Sequence, residues 1–241
     1  MPVREVLVLA VTKMLGGVCT AGMTAEPDPV TRLRWVRPVR EHSHVLLGDI
    51  TTPGGMVLRP FDVVEFDLLS ARPSPPHTED WLTDFVHHRP HVVRRLEGER
   101  RAGFLRNHLD TAPQDVLERQ QRSLCLIKPD WIQGRFHLDA YSREFEARLA
   151  LGLGEESYLG YQAKGGLSVS DLRWRALGRA WLAEGQDSID FDAGALERSF
   201  GIQEITLAVG LSRAYEGHCW PLIIGVHTQP DYTAVVDYQN L

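Results

Sequence analysis

The sequence predicts a mainly β protein of two small barrels, with a helical connector between them and one extra helix in the second half. Three observations carry this. The first third is a series of short apolar or alternating runs separated by Gly- and Pro-rich turns. A basic stretch punctuated by Pro90 and Gly98 interrupts that pattern before residue 123. Short strand-like runs then resume, broken by a single amphipathic helical pattern. The implied division is 1–85 as a first β unit, 86–123 as the connector, and 124–241 as a second β unit with a helix inserted at 171–184.

Each element has a local reason. Residues 6–12 form a continuous apolar run that ends at the Gly16–Gly17 turn, as a buried strand would. Residues 32–39 form a second strand candidate. In 61–69, Val64, Phe66 and Leu68 alternate with Glu65 and Asp67, the period-two signature of a half-exposed strand. A Pro-Gly-Gly turn at 53–55 precedes it, and three prolines within 71–76 end it. In the connector, Thr111 and Gln114 have capping-box spacing ahead of a helix over 113–122. Residues 124–127 and 135–138 read as a hairpin-like pair around Gly134, and 158–163 and 167–169 as short strands. Trp174, Leu177, Gly178, Trp181 and Leu182 then share one helix face, with Ser170 or Asp171 as N-cap. Two closing strands, 204–211 and 220–226, flank a Glu216–Gly217 turn. A faint internal echo joins Lys13-Gly16-Gly17 and Leu33-Arg34-Trp35 to Lys164-Gly165-Gly166 and Leu172-Arg173-Trp174.

Composition removes several function classes. No apolar run approaches the roughly 18 residues of a membrane helix, and the start lacks the pattern of a secretion signal, so a cytoplasmic protein with no membrane partner is expected. Cys19, Cys125 and Cys219 are too few and too far apart for a disulfide framework or a zinc site. Cys125 and Cys219 read as buried small apolar residues. The net charge of −6 opposes indiscriminate polyanion binding. The charge is uneven, however: between Arg89 and Arg106 six arginines face only Glu97 and Glu99.

The segments LAVTKMLGGVCTAG (9–22), WVRPV (35–39), PFDVV (60–64), PHTEDW (76–81) and ITLAVGL (205–211), with EGHCW (216–220) after the last, resemble the dual OB-fold domain family. The resemblance spans both ends of the chain, while 86–122 adds almost nothing to it. It implies two OB-like barrels. It also implies a place among prokaryotic proteins thought to act in conflict or defence loci, where OB barrels hold nucleic acid. It carries over no catalytic residues.

Candidate binding residues follow from how OB barrels hold single strands, with bases on aromatics and cations along the phosphates. Arg32, Arg34, Trp35 and Arg37 form the first group. The pairs Arg94–Arg95 and Arg100–Arg101 form the second. Lys13, beside Gly16–Gly17, is a third phosphate contact, although the segment is not a Walker loop. The alternative for each is structural: Trp35 as core, the arginines as solvated or salt-bridged groups, and Gly16–Gly17 as a tight turn. His77, Glu79, Asp80 and Trp81 form the most enzyme-like cluster, but they read better as a helix start with acids in its first turn. The expected function is non-catalytic recognition of single-stranded DNA or RNA, with neither cofactor nor metal. One alternative is a small nucleotide- or modified-base-directed enzyme using Lys13, Cys19 and His77. A protein-interaction adaptor, within a multi-protein system, is the other.

Overall fold

A computed structural model describes residues 3–14, 16–29, 31–160, 165–182 and 186–239. The chain divides into two compact units, Met1–Leu124 and Cys125–Leu241.

In the first unit, β1 (Arg4–Met14) and β2 (Gly17–Thr24) form an antiparallel hairpin, and β3 (Trp35–Val39) pairs with β2. A 3-10 turn, Leu47–Ile50, precedes β4 (Asp62–Phe66), which is separated from β5 (Leu68–Ala71) by Asp67 alone. β6 (Asp80–Thr83) runs parallel to β3 and antiparallel to β5. The β4–β5 run thus pairs with β1 at one end and β6 at the other. That double pairing curls five strand lines into a partly open barrel. β7 (His91–Arg95) extends the sheet past β4, and α1 (Gly98–Asn107) and α2 (Gln114–Leu117) follow.

The second unit repeats this connectivity. β8 (Leu124–Ile127) lies beside β14 (Glu204–Leu211), and β9 (Trp131–Leu138) pairs with β10 (Phe145–Leu153). β10 pairs with β12 (Leu167–Val169), β12 runs parallel to β15 (Pro221–Gln229), and β15 returns antiparallel to β14. Here the first strand line is the broken one, as β8 and β9. In both units the third and fifth lines are parallel neighbours and the fourth returns beside the first. β11 (Glu156–Tyr158) adds to β10, and β13 (Ser188–Asp192) adds to β9. α3 (Leu172–Trp181) and α4 (Ala193–Phe200) complete the unit. Among the described residues no helix is long and apolar enough to cross a membrane.

The helix of the second unit starts where its sequence indicates. Asp171 Oδ1 accepts from the backbone N–H groups of Arg173 (2.7 Å) and Trp174 (3.1 Å), an N-cap. Its Oδ2 accepts from Val226 N at 2.8 Å, tying the helix start to β15. Burial pushes this carboxyl up, against the pull of those donors. Behind α3, Phe136 packs on Phe191 (centroids 4.7 Å apart) and Trp174 (5.6 Å). Cys125 and Cys219 are buried, as their neighbours implied.

Several expectations are corrected. The helix over 113–122 is the four-residue α2, and the longer helix, α1, begins at Gly98. Its apolar face is short and includes an arginine: Arg101, Ala102 and Leu105 are buried, with the Arg101 guanidinium 4.3 Å over the Phe61 ring. Gly134 is not a turn but lies inside β9, where a side chain would meet the Phe191 ring at 2.1 Å. β10, β13 and α4 had no clear sequence signal. Residues 161–163 of an expected strand, Lys164 of the internal echo, and 183–184 at the end of the expected helix lie outside the described residues.

Candidate nucleic-acid interface

The first-unit residues singled out by sequence divide into buried and exposed sets. Trp35 is 5% exposed and Arg37 6%. Arg37 sits directly across from Asp80 in the parallel β3–β6 pair and donates Nε to its Oδ1 at 2.6 Å. Its Nη2 reaches Ser123 Oγ at 3.2 Å. Glu79, also buried, accepts from Ser123 N (2.9 Å), Ser123 Oγ (2.9 Å) and Leu124 N (3.1 Å). Arg37, Glu79 and Asp80 therefore form a buried network that pins residues 123–124 to the barrel, with its donors and acceptors matched as buried charge requires. These acids lead into and start a strand rather than a helix, because Asp80 to Thr83 pair on both sides, with β3 and β5.

The exposed set is Lys13, Arg32, Arg94, Arg95 and Arg100, with Arg34 half-buried. Arg32 adopts φ 61° in the turn before β3 instead of lying in the strand. Arg94 pairs with Glu5 at 2.7 Å, Arg95 with Asp62 at 2.6 Å, and Arg34 with Glu26 at 3.8 Å. Arg101 is buried.

Lys13, Cys19 and His77 do not present as one cleft. Lys13 pairs with Val18, whereas Cys19 pairs with Thr12. Alternation along the hairpin sends the Lys13 and Cys19 side chains to opposite faces. His77 is buried at the β5–β6 turn, where its backbone exchanges hydrogen bonds with Ser74 (2.7 and 3.1 Å).

A group that sequence spacing hides is Asp67, Asp84 and His88, whose ligand atoms lie within 4.8 Å of one another. Hydrogen bonds already occupy much of it. Asp84 accepts from the backbone N–H groups of Val86 and His87 and from the His87 ring at 2.8 Å, and His88 Nδ1 lies 3.2 Å from Asp67. The His87 backbone bond leads the causes that hold the Asp84 carboxyl down at about 2. The group closes the turn after β6.

The two units differ most on the first strand line, which adjoins the second- and third-strand face that OB barrels use for binding. In β1, residues 6–12 are all buried. The segment before β4 lies against this hairpin: Val18 N donates to Val45 O at 2.9 Å and Phe61 N to Val8 O at 2.7 Å. In β9 the pattern alternates. Ile132, Gly134 and Phe136 are buried, while Trp131, Gln133 and Arg135 face outward. Register places Asp190, Arg135, Arg148 and Ser168 in one row across β13, β9, β10 and β12. A second row holds Asp192, Gln133 and Ala150, and a third holds Trp131 and Gly152.

Each row has a physical character. Trp131, 38% exposed, lies on Gly152, where a Cβ would sit 1.9 Å from the indole Nε1. Only glycine lets that ring approach the strand so closely. Arg135 is held by Asp190 through two bonds (Nε–Oδ1 2.5 Å, Nη2–Oδ2 3.0 Å), which keep the Asp190 carboxyl below the ordinary range. Arg148 pairs with Glu146 at 2.7 Å. Arg198 of α4 is exposed and has no carboxylate partner among the described residues. Toward the Trp131 end of the sheet, the β14–β15 turn exposes Tyr215 (70%) and Trp220 (59%). The unit thus offers one ring and guanidiniums on strands, with further rings on a turn and a further guanidinium on α4, the two kinds of group that hold an unpaired nucleotide strand.

Sequence reading missed this face because its signal is the alternation in WIQGRFHL, residues 131–138, which Gly134 made look like a turn. Residues 4–159 match the dual OB-containing domain family, a span running from β1 through β11. None of the curated proteins or solved structures compared with the chain matches it.

Proposed function

The chain belongs to the dual OB-containing domain family, and we propose that it binds single-stranded nucleic acid across the outer face of its second barrel. The observation that carries this is the alternating exposure of β9 against the continuous burial of β1. OB barrels bind oligonucleotides on the face of their second and third strands and the adjoining loops, here β10 and β12, and β9 pairs directly beside β10. Trp131, with Trp220 and Tyr215 beyond it, supplies stacking surfaces, while Arg198 supplies the cation not engaged by a carboxylate among the described residues and Arg135, bound to Asp190, a second surface guanidinium. The exposed cations of the first unit, Lys13, Arg32, Arg94, Arg95 and Arg100, are a separate phosphate-contacting set of second rank, proposed for that unit by itself. Trp35, Arg37 and Arg101 have no part in it, because their side chains are consumed inside the first unit. A place in a prokaryotic defence system is part of the same proposal, and a protein partner there is compatible with the acidic balance.

The test is fluorescence anisotropy with labelled single-stranded DNA, single-stranded RNA and duplex across a salt series. The proposal expects single strands to bind with affinity that falls as salt rises, and Trp131→Ala to weaken them. Equal binding of duplex, or no effect of Trp131→Ala, would overturn it.

A further inference from the structure

The outer face of β9 and β10 is not an open groove. β13 extends the sheet past β9, and α4 packs against both of those strands. On the opposite side stand Leu159 and Gly165, from the chain between β11 and β12. A cavity of about 700 Å³ lies between these walls, lined by Gln133, Arg135, Leu159, Asp190, Asp192 and Arg198 among others. That volume falls in the range of small-ligand pockets, ~300–1,000 Å³. β13 and α4 close the β9 edge of the face at this cavity.

The charges in the cavity count against a run of phosphates. Two guanidiniums, Arg135 and Arg198, face two carboxylates, Asp190 and Asp192. Asp190 is already bound by Arg135, and Asp192 Oδ1 caps α4 by accepting from Ala195 N at 2.7 Å. This leaves Arg198 to meet an anion. A Cβ on Gly194 would lie 3.2 Å from Arg198 Nη1 and 3.4 Å from Asp192 Oδ1, so a cation and an acceptor sit side by side over that glycine. Such a pair suits a phosphate next to a sugar hydroxyl, the first met by the guanidinium and the second donating to the carboxylate. Leu159, 45% exposed, offers apolar surface to a base, and the Gln133 amide offers both a donor and an acceptor to its edge.

We propose that this pocket seats one nucleoside monophosphate unit, with its phosphate on Arg198 and its sugar toward Asp192, rather than an internal stretch of a strand. The unit is either a free mononucleotide or the phosphorylated end of a strand. The inference rests on the proposed use of this face for nucleic acid.

The test is competition on the full chain, with a labelled linear single strand phosphorylated at its 5′ or 3′ end as the reporter. The competitors are the same strand unlabelled, its circular form without ends, its unphosphorylated form, and nucleoside 5′-monophosphates. Strand-end capture predicts that the circle and the unphosphorylated strand compete at least tenfold less well than the phosphorylated strand. Capture of a free mononucleotide predicts that monophosphates displace the reporter or, if no strand binds, bind alone in calorimetry. Arg198→Glu should abolish either preference while its thermal unfolding matches that of the unaltered protein; Arg198→Ala serves if the reversal disturbs α4. Equal competition by circle and linear strand, with no binding of monophosphates, would overturn this inference and leave single-strand binding standing. Monophosphate binding with no strand bound would support the pocket and overturn the strand reading. Absence of all binding would overturn both.

Discussion

In the first barrel the leading strand is VLVLAVT, buried on both faces over residues 6–12, and the segment that precedes β4 hydrogen-bonds to the hairpin it forms. In the second barrel the leading strand breaks at residues 128–130, and its longer half, WIQGRFHL, alternates between core and solvent. The connectivity is the same in both. One fold therefore appears once with its face covered and once with its face available, and the difference lies in which side chains occupy alternate positions. Fold alone is a poor guide to where a ligand goes; the exposed half of a strand is a better one.

The arginines sharpen that contrast, and the largest expected effect lies there. Arg37→Ala leaves Asp80 without its in-register cation and Ser123 without a donor, so chemical denaturation should show a loss of about 3–5 kcal/mol, as when one partner of a buried ion pair is removed. Unchanged stability combined with lost oligonucleotide binding would place Arg37 on the binding surface and break the comparison. Next in size is Trp131→Ala, which removes a stacking surface worth about 1–3 kcal/mol per base and should weaken single-strand affinity by roughly tenfold with little change in stability. Gly152→Val should act similarly by forcing the indole off the strand, since the ring and a side chain cannot occupy the same space. Both would be read by anisotropy at fixed salt.

Much of the fold was legible because burial and pattern agree there. The β1 run, the β4–β5 alternation, the Asp171-capped α3 and the β14–β15 hairpin each carry a local signal that tertiary packing reinforces. The site was legible only in its residue types. Arginine beside tryptophan at 32–37 satisfied the requirement for cation and ring, but a sequence cannot show that Asp80, 43 residues later, lies in register with Arg37. Gly134 reads as a turn in the chain and acts as a gap for the Phe191 ring in the fold. The second barrel's edge was hidden for the same reason. β13 and α4 are short, polar outside, and made stable by Phe191 and Leu196 reaching the core rather than by propensity.

A smaller effect is expected from the first unit's exposed cations. Reversing Arg94 and Arg100 to Glu should lower the salt slope of binding by about one for each phosphate left without its cation, with a modest fall in affinity. If this pair mattered more than Trp131, the two barrels would have to exchange roles. The smallest concerns Asp84. Its carboxyl is depressed in the folded state, so the stability it adds is fully present above the unfolded carboxylate value of ~3.9 and disappears as the pH falls toward about 2. Asp84→Asn should therefore melt slightly lower than the unaltered protein at neutral pH, and the two curves should converge in strong acid. A gap that kept its full neutral-pH size at pH 2 would assign the turn's stability to something other than this charge.

Hydrogen–deuterium exchange of the full chain, with and without a saturating single-stranded oligonucleotide, shows whether the second barrel's β9–β10 face receives the strand. Strand binding there gives new protection concentrated in β9, β10, β13 and the first turn of α4, well above any change in β1 to β3. Protection confined to β1–β3 and the turn around Arg32 would contradict it.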